Sequence, residues 1–229
     1  MAKKQKVTRK KLLKEPDEFI TTTGRLIRWS RNYQMPLMYT AIAFFVILTA
    51  IAGLRYFSNQ AENKAFTLLS QAVNTQEKLL NASGPEKTYE EMKDAYESLL
   101  RKYKNKQGAK IARLIYANLS LDAGNADQAI LLYESALKDF ERETSFTNFI
   151  LSSLGYAYEK KHDYQQAITY FNRISSGDDP VMKDVALFNL GRLYGELGDG
   201  PKSREAYGRL ASAYTDSIYF EIAKEKAAG

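Results

Sequence analysis

Two short strings constrain the architecture most. Leu154-Gly155-x-x-Tyr158 recurs as Leu190-Gly191-x-x-Tyr194, 36 residues later in the chain. Each is followed by a turn (Lys161-His162-Asp163, then Gly198-Asp199), and twelve residues after each glycine comes a small residue, Ala167 or Ser203. An earlier unit reads Tyr116-Ala117-x-x-Ser120, a turn at Gly124-Asn125, then Ala129, Tyr133 and Ala136; a further half-unit is Met92, Ala95, Tyr96 and Leu99. From residue 58 onward apolar and aromatic residues recur at spacings of three and four. Short Gly, Asn, Asp and Pro clusters break the pattern, and no alternating β-branched run of strand length occurs. A fixed period of this length in a helical pattern means stacked helix pairs, so the expectation is an all-α solenoid.

These residues resemble the tetratricopeptide repeat, a helix-turn-helix unit of about 34 residues with small and aromatic residues at set positions. The resemblance covers roughly residues 85 to 215. It implies that Ala117, Gly155 and Gly191 let paired helices approach closely while Tyr133, Phe171 and Tyr207 fill the space behind them. Ser203, Ile174 and Leu210 stand where alanine is usual. Residues 58 to 81 form an amphipathic segment ahead of the repeats. Asp216-Ser217 is a helix-start signal before Ile218, Phe220, Ile222 and Ala223, with Lys224, Glu225 and Lys226 expected on the outside, so a capping helix closes the array.

The N-terminal third is different. Between Arg31 and Arg55 no charged residue occurs, and Met35 to Leu54 is apolar apart from Thr40 and Thr49. A helix of about 20 such residues spans about 30 Å, the thickness of a bilayer core. Trp29, Tyr33, Tyr39, Tyr56 and Phe57 gather toward its ends, where interfacial aromatics lie. Of 33 Lys and Arg and 27 Asp and Glu, ten basic and three acidic side chains fall in residues 1–34, which leaves 23 against 24 in the remainder. The basic pI therefore belongs to the tail, and the large domain has no net positive field with which to bind nucleic acid. Arg25, Arg28 and Arg31 precede the span while only Arg55 and Lys64 follow closely, which keeps the N-terminus in the cytoplasm. Ala50-Ile51-Ala52 before Gly53 offers the alternative of a cleaved signal peptide, against which stand a long apolar stretch and a long region before it. Within the tail, Pro16, Asp17 and Glu18 signal a helix start. Phe19, Ile20, Thr23, Leu26 and Ile27 share one side with the arginines around them, which suits either a helix lying on an anionic leaflet or simple topology determinants.

The organisation read from the sequence is thus a basic cytoplasmic tail (1–34), a transmembrane signal anchor (35–55), a long connecting helix (56–84) and a repeat domain with its cap (85–229). That layout resembles the ancillary SecYEG translocon subunit family of bacterial inner membranes. The resemblance implies a periplasmic repeat domain that helps to pass secreted proteins to chaperones, with protein partners in the translocon or envelope.

Catalysis has little support. The chain has no Cys and one His, which excludes thiolate metal sites, cysteine nucleophiles and multi-His metal centres. His162 and Asp178-Asp179 fall in predicted turns, and Glu90, Glu91 and Asp94 fall on a hydrated helix face. No phosphate loop, metal spacing or nucleophile-base pair is visible, so neither a cofactor nor a small-molecule substrate is expected. The positions that line the groove in the resembled family are Ile111, Leu114, Asn118 and Leu121; Phe149, Ser152, Tyr156 and Glu159; and Val185, Phe188, Arg192 and Glu196. This mixture suits a peptide or helix with apolar anchors. The basic and amide set that clamps a C-terminal carboxylate in some repeats is not reproduced, with only Asn118 and Arg192 in comparable places. Two readings follow: an envelope interaction module with exported repeats, or a tethered receptor with its repeats facing the cytosol.

Overall fold

The computed structural model describes residues 18–229, and these contain nine helices and no strand. Pro16, Asp17 and the basic residues before them lie outside the described residues. The chain forms two compact units, Met1–Asn59 and Gln60–Gly229.

In the first unit, α1 (Glu18–Asn32) is followed after Tyr33 by the start of α2 (Gln34–Lys102). None of the residues from Met35 to Leu54 is buried. α2 is the one helix among the described residues long and apolar enough to cross a membrane. Its two threonines bond to their own backbone: Thr40 Oγ1 donates to the Leu37 carbonyl at 2.9 Å, and Thr49 Oγ1 to those of Phe45 and Val46 at 3.0 and 2.9 Å. The apolar stretch therefore leaves neither hydroxyl without a partner.

The second unit opens with a reversal inside residues 81–85, one of the Gly, Asn, Asp and Pro clusters that break the helical pattern in the sequence. Gly84 sits at φ 77°, ψ 176° inside the α2 run, a left-handed φ that glycine adopts without cost, and Pro85 follows it. Tyr96 Oη donates to Gln76 Oε1 at 2.5 Å across this break. Twenty residues along a straight helix would be about 30 Å apart, so the stretches flanking Gly84 form an antiparallel pair. Ala65, Leu69 and Ala72 from the first stretch share a core with Met92, Tyr96 and Leu99 from the second. The division into a connecting helix to residue 84 and repeats from 85 is corrected accordingly: residues 60–83 are the first helix of a pair. Ala95, grouped with this core in the sequence pattern, is exposed.

Three further pairs follow the expected order: α3 (Gln107–Asp122) with α4 (Ala126–Asp139), α5 (Thr144–Lys160) with α6 (Tyr164–Ser176), and α7 (Lys183–Glu196) with α8 (Gly200–Ala213). Each of these helices packs on the next in sequence. Asp163 and Asp199, 36 residues apart, cap α6 and α8 by accepting from the Gln166 and Lys202 amides. A Cβ placed on Gly155 would lie 2.6 Å from the Phe171 ring, and one on Gly191 2.7 Å from the Tyr207 ring. Both glycines thus serve the close approach that the repeat pattern implies. Buried Arg113 pairs with Asp139, tying α3 to α4, and burial pulls the guanidinium below its ordinary pKa.

α9 (Phe220–Ala228) packs on α8. It begins later than the sequence suggests, because Ser217 donates to Asp184 Oδ2 at 2.6 Å and accepts from the Tyr219 amide, which holds Ile218 in a turn outside the helix. Ala223 is the buried residue of α9, and Lys224, Glu225 and Lys226 are exposed as the sequence suggests.

Candidate functional site: the groove of α3, α5 and α7

The expected groove positions fall on the first helices of the three later pairs, and polar bonds connect α5 to α7 and the residues just before it at a constant offset. Asn148 Nδ2 donates to the Val181 carbonyl at 3.0 Å, Asn189 Nδ2 to Tyr156 Oη at 2.9 Å, and Arg192 to both Glu159 oxygens at 2.6 Å, every pair separated by 33 residues. A period of 36 with contacts at 33 means that a residue of α7 meets α5 about one turn beyond its own equivalent position. Asn189 is 2% exposed and also donates to the Val185 carbonyl, while its Oδ1 accepts from Arg192 at 2.9 Å. Tyr156, Asn189, Arg192 and Glu159 thereby form one network across α5 and α7. The Glu159 hydrogen bonds hold the Arg192 guanidinium above its ordinary pKa.

The expected groove residues divide into three groups. Asn118, Phe149 and Glu196 are exposed, and Tyr156 and Leu121 are open on one side. Asn118 Oδ1 accepts from Tyr133 Oη at 2.5 Å, and the Tyr156 ring stands edge-on to Phe171. Glu159 and Arg192 are half-buried in their mutual pair. Leu114 and Ser152 are buried, Ile111 packs against the first core cluster, and Val185 is half-buried. Phe188 is taken up by packing too, stacked on Tyr219 at 4.3 Å and edge-on to Tyr207. Leu114, Ser152 and Phe188 are therefore corrected from ligand-facing positions to structural ones.

A hollow of about 570 Å³ opens where the network meets the turn after α5, lined by Leu121, Asp122, Tyr156, Glu159, Lys160, His162, Tyr164 and Arg192. His162, read from sequence as a solvated turn residue, has φ 61°. The equivalent turn residues of the neighbouring units are Gly124 at φ 83° and Gly198 at φ 76°. His162 Nδ1 lies 3.2 Å from Tyr164 Oη, which sets the imidazole at the rim of the hollow. Sequence reasoning missed Asn189 and Tyr164. The 33-residue offset is the signal that finds Asn189, because it pairs that residue with Tyr156. Among the described residues no cluster of His, Asp and Glu has the make-up of a metal site. The chemistry on offer is an aromatic and aliphatic depression edged by a neutralised ion pair.

Stacked helix pairs with small residues against aromatics and a groove along the first helices define a tetratricopeptide-repeat protein, a fold of protein-protein interaction. Residues 49–225 match the family described as the SusR N-terminal TPR domain, and the chain belongs to that family. Among solved structures, nearly identical TPR-like repeats from Podosopora anserina align with a TM-score of 0.57 and 12% identity over 72% of this chain and 85% of that one. BtubC (BKLC) from P. vanneervenii aligns with a TM-score of 0.56 and 14% identity over 77% of each chain. At these identities the likeness is one of fold. Comparison with curated proteins gives no match.

Proposed function

We propose that this protein is a single-pass, membrane-anchored interaction module of the bacterial cell envelope. Residues 1–34 stand in the cytoplasm, residues 35–55 cross the bilayer and the repeats work on the far side. The groove takes extended or helical segments of protein partners, with apolar anchors entering beside Tyr156 and Leu121 and polar groups meeting the Glu159–Arg192 pair. The role is handover of secreted proteins or assembly of envelope complexes near the export channel. The uncharged stretch between Arg31 and Arg55 carries the reading: a core helix of a soluble protein would be covered by other elements, whereas none of its residues is buried. Anchoring also suits a groove of modest contacts, because a tether raises the local concentration at a membrane partner to the order of mM without any new contact. Alkaline phosphatase, which folds only outside the cytoplasm, tests the arrangement when fused after Gly229. Active phosphatase is expected; an inactive fusion, with activity instead from a cytoplasmic reporter at the same site, replaces this reading with a receptor facing the cytosol.

A further inference from the structure

We propose that α1 is an interfacial helix that docks on anionic lipid headgroups, an inference that rests on residues 35–55 being a membrane anchor. At 3.6 residues per turn, Thr23, Leu26, Ile27 and Ser30 fall within an arc of about 100°, and Arg25, Arg28 and Arg31 occupy the opposite side over about 120°. Trp29 lies on the border between the two arcs. Leu26 and Ile27 are more than 60% exposed, so no other element among the described residues covers the apolar side. Among the described residues the arginines are equally unopposed. No Asp or Glu occurs between Glu18 and Glu62, and among the described residues none of the three is in a salt bridge. Among the described residues, Arg28 Nε donates to the Gly24 carbonyl at 3.3 Å, one turn back along the helix.

The junction with the anchor permits the docked arrangement. Tyr33 N bonds to the Trp29 carbonyl and Leu37 N to the Tyr33 carbonyl, but Pro36 has no N–H to give the Asn32 carbonyl. The missing donor makes this the point in the junction where a bend costs least. A hollow lined by Leu26, Ile27, Trp29, Arg31 and Leu37 opens along α1 and the start of α2, with apolar walls and a guanidinium at its edge. An amphipathic helix with basic flanks and a border tryptophan, joined to a bilayer span, is complementary to a surface apolar beneath and negative above. Straight continuation of the anchor would instead carry Leu26, nine residues before Met35, about 13 Å beyond the apolar stretch into water.

Trp29 is the only tryptophan in the chain, so a Trp29→Phe, Leu26→Trp double substitution moves the sole indole onto the apolar side of α1. The full chain carrying it is reconstituted into vesicles of phosphatidylcholine and into vesicles of equal phosphatidylcholine and phosphatidylglycerol, then floated. The account predicts flotation with both. It further predicts indole emission shifted to the blue, and quenched by brominated acyl chains, in the anionic vesicles beyond the neutral ones. Raising salt to about 1 M, where the screening length falls to about 3 Å, should remove the difference without releasing the chain. Adding Arg25→Gln, Arg28→Gln and Arg31→Gln together should remove it as well. Flotation with both lipids but identical, salt-insensitive emission overturns the α1 proposal and leaves the anchor standing. Binding to anionic vesicles alone, reversed by salt, overturns the anchor and keeps the headgroup contact. Failure to float with either overturns both.

Discussion

Residues 35–54 and residues 60–83 belong to one helical run, yet the first stretch has no buried residue while the second buries Ala65, Leu69 and Ala72. The second places its apolar residues at spacings of four and three, which gives one face and demands a protein partner; Tyr89, Met92, Tyr96 and α3 supply it. The first is apolar on every side, and no single protein face would satisfy it. Helix propensity does not separate the two stretches. The distribution of side chains around the axis does, because it decides which medium each can occupy.

The strongest way to break this comparison is to place the same side chain in both halves. A Cβ at Gly108 would meet backbone atoms of α2, 2.8 Å from Ala65 C and 2.9 Å from Phe66 N, and backbone cannot move aside as a side chain does. The Gly108 amide also donates to Glu62 Oε1 at 3.1 Å, so the N-terminus of α3 is satisfied by the segment it touches. Gly108→Leu should destabilise the repeat unit by about 3 kcal/mol or more. Gly53, with nothing within 4 Å, should accept leucine without loss of stability. Thermal melts of the full chain in detergent decide, and equal midpoints for the two variants would show that the α2–α3 contact is not close-packed.

A second pair of substitutions sharpens the contrast within the repeats. Gly191→Leu should cost about 1 to 3 kcal/mol by overpacking against Tyr207. Gly195→Leu, whose nearest neighbour is Ser203 Oγ at 3.6 Å, should cost clearly less. Chemical denaturation gives the difference, and indistinguishable curves would mean that the repeat register is shifted.

These two pairs also mark what was legible in the sequence. Gly191 and Gly155 are readable because the chain contains the same motif twice at a fixed interval, so each copy tests the other. Gly108 has no second copy, and its role arises from a contact between α3 and a segment about 45 residues earlier that local spacing cannot reveal. The twelve candidate groove positions fall on α3, α5 and α7. Which of them face outward was not legible, because Phe188 is occupied by Tyr219 and Leu114 and Ser152 sink into the core, all through tertiary packing. His162 was visible as a turn residue, but its left-handed backbone and its place at the hollow required the fold.

Smaller effects come from titration and turn strain. Burial pushes the phenols of Tyr96 and Tyr133 up to about 12 and that of Tyr116 further. Because the fold favours the neutral phenol, their contribution is intact below about pH 10, the ordinary tyrosine value, and is lost as pH rises through about 12. Helical circular dichroism of the repeat unit should fall over that interval together with the appearance of tyrosinate absorbance; tyrosinate forming fully near pH 10 with helicity unchanged would place these rings at the surface. The smallest change expected is a gain. His162→Gly removes a left-handed non-glycine residue and should raise stability by up to about 1 kcal/mol, less what glycine adds to the freedom of the unfolded chain. A lower melting temperature would mean that the contact of the imidazole with Tyr164 outweighs the backbone strain.

The division of labour within α2 is tested most directly by fractionating cells that express either the full chain or residues 60–229 alone. The account predicts that the full chain stays with the membrane through an alkaline carbonate wash. The 60–229 fragment should remain soluble, strongly helical and cooperative in its melting. Release of the full chain by carbonate would contradict the anchor, and an unfolded or aggregated fragment would contradict a repeat unit that begins at Gln60 with a core of its own.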